Sequence, residues 1–160
     1  IGVLFDADTI SNHTENNTIK IGKVLIMSLS WSVLDFGVCD PATKGNPALL
    51  NSINGYNITI DPNSNDANGL WIKGTDLLPE EVSNISNIVY KIGVGNITWN
   101  DEVNNYNDVG TTRLTKEYQL MRAPVKSGSV ITTYYWIDIP KGEYAQRYNG
   151  NLYIMINTTW

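Results

Sequence analysis

Tyr56-Asn57-Ile58-Thr59-Ile60 places an apolar side chain at every second position and a polar one between. Successive side chains of an extended chain point to opposite faces, so this pentapeptide reads as a strand with one face in a core and one in water. The same period runs outward from it. Upstream, Leu25, Met27, Leu29, Trp31 and Val33 form an apolar row, with Ser28, Ser30 and Ser32 opposite. Downstream, Asn96-Ile97-Thr98-Trp99 repeats the arrangement, and residues 69–73, 88–92, 114–122, 130–139 and 152–160 are further strand candidates rich in β-branched and aromatic side chains.

Clusters of Asn, Gly, Pro and Asp at 39–47, 61–69 and 100–110 punctuate these segments. Only Leu78-Pro79-Glu80-Glu81-Val82 resembles a helix start, with Pro near the first turn and acids beside the N-terminal dipole. Many short strands with turn-rich links predict an all-β, jelly-roll-like sandwich, without specifying strand order.

The 160 residues carry no internal repeat and are enough for one domain. Charged residues make up only 17 % of them, while 20 are asparagine, so the surface is solvated by amides and hydroxyls more than by ions. The net charge of −5 comes with no basic stripe, which argues against a nucleic-acid partner. Cys39 stands alone, excludes an intrachain disulfide and reads as a small buried hydrophobe. No segment approaches the ~20 apolar residues of a spanning helix. The sequence opens at Ile1 without a Met, which agrees equally with removal of a signal peptide and with simple trimming.

Six Asn-x-Ser/Thr triplets begin at Asn12, Asn16, Asn57, Asn84, Asn96 and Asn157. A glycan must point to solvent. Asn57 and Thr59 lie opposite Tyr56, Ile58 and Ile60, and Asn157 lies opposite Leu152, Ile154 and Ile156, as that requires. The expectation is N-linked glycosylation at these sites and a location outside the cell.

At the other end, Ile1, Val3, Phe5 and Ala7 form an apolar row at strand spacing, and a polar stretch at 11–18 separates them from the next strand. Residues 1–18 are therefore read as an extended donor strand with its linker, and 19–160 as the sandwich. A neighbour's sheet edge or hydrophobic groove accepts such a segment through backbone bonds and alternate side chains.

Phe5-Asp6, Asn16-Asn17-Thr18-Ile19 and Gly22 before an apolar strand, together with Gln146-Arg147-Tyr148-Asn149-Gly150 before a final alternating strand, resemble the TasA/camelysin-like biofilm fibre proteins. The likeness is confined to the two ends of the chain, and the family's Pro-Gly-Asp turn has no counterpart. In sequon density and low charge the chain looks most like the archaeal thread and bundling-pilus subunits. The resemblance implies a secreted jelly-roll subunit whose N-terminal strand completes the sheet of the next copy in a cell-surface filament that supports adhesion or biofilm formation.

Chemistry for catalysis is sparse, and the chain does not read as an enzyme. His13, the only histidine, sits inside a sequon, and no HExxH, Walker A or GxGxxG pattern occurs. Asp61-Pro62-Asn63-Ser64-Asn65-Asp66 begins like a calcium loop, but Asp66 replaces the tight-turn Gly and Ile72 stands where a bidentate Glu belongs, so it reads as a solvated turn. Asp6 and Asp8 share a strand face as outward polar residues. Neither a metal nor a cofactor is expected. Trp31, Trp71, Trp99, Trp136 and Trp160 with Tyr134 and Tyr135 serve packing in the leading reading and a sugar platform in the alternative one, a monomeric adhesin or carbohydrate-binding sandwich.

Overall fold

The structure is a computed structural model and describes residues 23–80, 90–107 and 110–157. Eleven strands occur among these residues: β1 (Met27–Leu29), β2 (Asn46–Pro47), β3 (Tyr56–Ile60), β4 (Gly69–Gly74), β5 (Leu78–Pro79), β6 (Ile97–Asn100), β7 (Thr112–Arg113), β8 (Gln119–Arg122), β9 (Val130–Ile137), β10 (Tyr148–Asn149) and β11 (Leu152–Asn157). The larger sheet has the order β1-β3-β9-β6-β7, with β2 also on β9, and the smaller has the order β11-β4-β8. All pairings are antiparallel.

The two sheets pack face to face as an all-β sandwich. β3, β6 and β9 belong to one sheet, whereas β4, β8 and β11 belong to the other, so the chain passes between the sheets from β3 to β4, from β7 to β8 and from β8 to β9. That winding is jelly-roll-like.

Alternation does what the opening pentapeptide predicts. Tyr56, Ile58 and Ile60 have no solvent exposure, while Asn57 and Thr59 between them are half-buried on the outer face. Facing them from the same sheet are Ile131, Thr133, Tyr135 and Ile137 of β9, and from the other sheet Leu70, Ile72 and Ile156. Trp31, Tyr56 and Tyr135 meet edge to face, with ring centroids 5.3 Å apart in two of the three pairs. Each large aliphatic side chain buried here contributes about 1.5–3 kcal/mol.

One polar side chain completes the large sheet. β3 and β2 lie in line along one edge of β9, and between them the carboxamide of Asn51 takes the place of a strand residue. The Tyr135 N–H donates to its Oδ1 (3.1 Å), and its Nδ2 donates to the Tyr135 carbonyl (2.8 Å). Asn51 comes from the 3-10 turn Leu49–Ser52, and Gly55, at φ +66°, then redirects the chain into β3. A Cβ at Gly55 would lie 2.5 Å from Thr132 Cγ2.

Three readings of the sequence are corrected. The proposed helix start at Leu78 is instead β5, paired with Tyr148 and Asn149 of β10, and Glu80 N–H extends the pair to the Arg147 carbonyl. Pro79 suits this place because a two-stranded ribbon leaves one side of each strand free of the ladder. The apolar row at 25–33 yields a strand of only three residues. Beyond it Trp31 packs onto Tyr56, and Val33 is 67 % exposed. Of 114–122 only Gln119–Arg122 is strand, while Leu114 is buried beneath Gly74.

Candidate functional site

Among the described residues β11 is an edge strand, with a full six-residue register against β4 from Leu152↔Gly74 to Asn157↔Gly69. Thr75 N–H bonds the Asn151 carbonyl (3.0 Å), and Asn151 N–H bonds Thr75 Oγ1 (2.9 Å). This fixes the phase of the ladder: odd-numbered residues of β11 bond toward β4, and the N–H and C=O groups of Leu152, Ile154 and Ile156 point away from it. Gly74 shows the same phase from the other side, since its N–H bonds the Thr115 carbonyl on the β8 flank (2.9 Å). Among the described residues, nothing pairs with the outer side of β11.

This edge also lacks the usual protection. Soluble sandwiches blunt an edge with charges, proline, bulges or brevity, because a bare edge templates pairing with another chain. Leu152-Tyr153-Ile154-Met155-Ile156-Asn157 carries no charge, no proline and no bulge. The remaining edges of the two sheets are defended: β1 is three residues long, β7 is two residues with Arg113, and β8 has Arg122 and a register shift at Leu70/Trp71.

The core is also incompletely closed beneath this edge. Ile156, opposite the fully buried Leu70 of β4, is buried too, but Ile154, opposite the fully buried Ile72, and Leu152 beyond it are only half-buried. Leu25, Leu29, Trp31, Leu34 and Phe36, in and on either side of the other thin edge β1, are half-buried as well. The proposed donor residues Ile1, Val3, Phe5 and Ala7 lie outside the described residues, as do Asn12, Asn16, Asn84, Asp6, Asp8, His13 and Trp160.

The remaining sequons differ in setting. Asn57 and Thr59 occupy the outer face of β3, where Asn57 Oδ1 accepts a bond from Thr132 Oγ1 (2.7 Å). Asn157 ends β11 and is half-buried. Asn96 closes the 3-10 turn Val94–Asn96, and its Nδ2 donates to the Gly93 carbonyl. Thr98 is only 6 % exposed, because β6 is a central strand buried on both faces, contrary to the one-sided pattern expected of Asn96-Ile97-Thr98-Trp99.

Side chains that suggested chemistry are committed to structure. Asp61 Oδ1 accepts the Asn63 N–H (2.7 Å) and Asn65 Oδ1 the Val24 N–H (2.7 Å), while Asp66 binds Lys126 Nζ (2.7 Å) and Ser127 N–H (2.9 Å). This loop therefore ties down the chain before β1 and the turn before β9. Among the described residues no group of three or more His, Cys, Asp or Glu converges as a metal site. Cys39 is half-buried; burial, with Asp40 and Asp35 nearby, raises its thiol pKa. Trp99, Trp136 and Tyr135 are buried and Trp31 packs on tyrosines, so these aromatics form no exposed platform.

Two clusters of charge remain. Asp138, 7 % exposed, accepts the Tyr106 hydroxyl and the Gly45 N–H at 2.8 Å each, with Arg113 3.8 Å away. Asp76 accepts Lys116 Nζ (2.8 Å) and the Val94 N–H (3.0 Å), with Lys91 at 3.5 Å, and the Lys116 bond leads in holding its pKa down to about 2. A carboxylate depressed in this way stabilises the fold fully above its unfolded pKa near 4, and the contribution disappears as pH falls through about 2. Urea midpoints of Asp76→Asn and the parent chain are therefore expected to differ at pH 6 and to converge by about pH 2.

No helix among the described residues is long and apolar enough to cross a membrane. No protein-family description, curated protein or solved structure matches this chain.

Proposed function

We propose that this protein is the structural subunit of an extracellular filament, joined to its neighbours by strand donation. The observation that carries the reading is the bare edge of β11, with three outward-facing residues of free backbone and a half-open apolar flank. Ile1, Val3, Phe5 and Ala7 supply a strand of matching length and period, seven residues against six. A strand laid along β11 pairs its backbone with Leu152, Ile154 and Ile156 and sets its alternate side chains over the half-buried Leu152 and Ile154.

Donation between copies, repeated head to tail without closure, builds a fibre. Burial of Ile1, Val3 and Phe5 contributes about 1.5–3 kcal/mol each, and the ladder adds to it. N-linked glycans at the sequons, Asn57 on an outer polar face among them, keep such a fibre solvated in this reading. Deleting residues 1–8 is expected to give dispersed, folded monomers, observed by sedimentation and electron microscopy. Normal fibres from the truncated chain would refute the mechanism.

A further inference from the structure

We propose that the cleft between the end of β4 and the β10–β11 turn binds a carboxylate-bearing polysaccharide. The cleft holds about 560 Å³, and Lys73, Thr75, Asp76, Lys116, Asn149, Asn151 and Tyr153 contribute most of its polar lining. That volume lies within the ~300–1,000 Å³ of small-ligand clefts, enough for a short run of sugars.

Its floor is built closely. Gly150 packs so tightly that a Cβ there would lie 2.7 Å from Leu77 Cδ2 and 3.1 Å from the Asp76 carbonyl oxygen. The Thr75–Asn151 bonds hold the turn on β4. This presents the carboxamides of Asn149 and Asn151 and the Tyr153 hydroxyl at the wall, none of them engaged by another described residue.

A carboxamide offers a donor and an acceptor side by side, which suits the vicinal hydroxyls of a sugar. Charge selects the kind of sugar. Lys73 and Lys116 line the cleft with a single carboxylate, Asp76, which pairs with Lys116 and also with Lys91 outside the lining, leaving Lys73 without a carboxylate partner among the described residues. A surplus of positive charge therefore remains here in a chain of net charge −5. Lys73 is further held in place by the rings of Tyr118 (4.5 Å) and Tyr153 (5.3 Å). Two lysines on the wall of one cleft, with no row of arginines beyond it, fit scattered carboxylates better than a continuous phosphate backbone.

The test is titration of the full chain with an oligogalacturonate, a neutral galactan of equal length, and dextran sulfate, followed by calorimetry and by amide shifts of residues 149–153. The oligogalacturonate is expected to bind at least about tenfold more tightly than the neutral oligomer, a difference of about 1.4 kcal/mol. Lys116→Gln is expected to weaken it and to flatten its salt dependence. Asn151→Ala is expected to weaken it without changing that dependence. Equal binding of acidic and neutral oligomers, no binding of either, or indifference to both substitutions would overturn the proposal. So would dextran sulfate that binds as tightly and ignores Asn151→Ala, since that is charge attraction alone. Calorimetry and the two substitutions read these outcomes, which are separate from the loss of fibres expected on deleting residues 1–8.

Discussion

Asn51→Leu is expected to cost this protein about 2–4 kcal/mol, a large part of the ~5–15 kcal/mol that holds an ordinary domain together. Leucine fills a similar volume, so the loss comes from hydrogen bonding. The Tyr135 N–H, whose partner is Asn51 Oδ1, is left buried with nothing to bond. The Tyr135 carbonyl loses Nδ2 and keeps the Ala48 N–H (2.9 Å). Asn104 is affected indirectly, because its Nδ2 bonds the Asn51 carbonyl (2.7 Å), and the position of that carbonyl depends on the turn staying in register.

Asn51→Asp separates the chemistry from the shape. Aspartate keeps the acceptor but loses the donor and brings a charge into a site that is 5 % exposed. It should therefore be the worse variant at pH 7. Burial raises such a carboxyl's pKa, so its folded form gains stability as pH falls and the protonated acid again donates to Tyr135. Urea midpoints across pH decide this: a leucine variant as stable as the parent chain would show that the clamp is dispensable.

Ile154→Pro is expected to abolish fibre assembly while leaving the domain folded. Proline removes the N–H of residue 154, which faces the free side of β11 and contributes nothing to the ladder with β4. Part of a half-buried side chain is also lost, at a cost of about 1–2 kcal/mol, which a folded domain withstands. In the proposed fibre, however, the missing donor falls in the middle of the incoming strand's pairing, and the ring displaces that strand. Near-ultraviolet circular dichroism reports the fold, and negative-stain microscopy reports the fibre. Abundant normal fibres from this variant would place the acceptor elsewhere.

Much of this architecture is readable along the chain. The alternation in Tyr56–Ile60 is local: it names the strand, its buried face and the outward placement of Asn57 before any partner is known. The same holds for Gly69–Gly74 and Val130–Ile137, whose bounds fall within two residues of the expected ones, and for Leu152–Asn157, which starts where expected. Where period two misled, partners decided. Met27–Leu29 stops because β3 pairs with it over three residues, and Leu78–Pro79 is drawn into a ribbon by a segment seventy residues later. β6 looked one-sided but is covered on both faces, so Thr98 is buried.

From the sequence alone come the all-β class, most of the strand faces and the leading apolar row, because each depends on side chains a few positions apart. Only the tertiary structure decides that β11 is an edge, that Asn51 stands in for a strand residue, and that Lys73, Asp76 and Asn151 share one cleft. Those facts depend on which distant segments pair. A strand's sequence records which side is apolar, whereas the backbone groups at its margins are alike in every residue and carry no mark of their neighbour until the chain has folded.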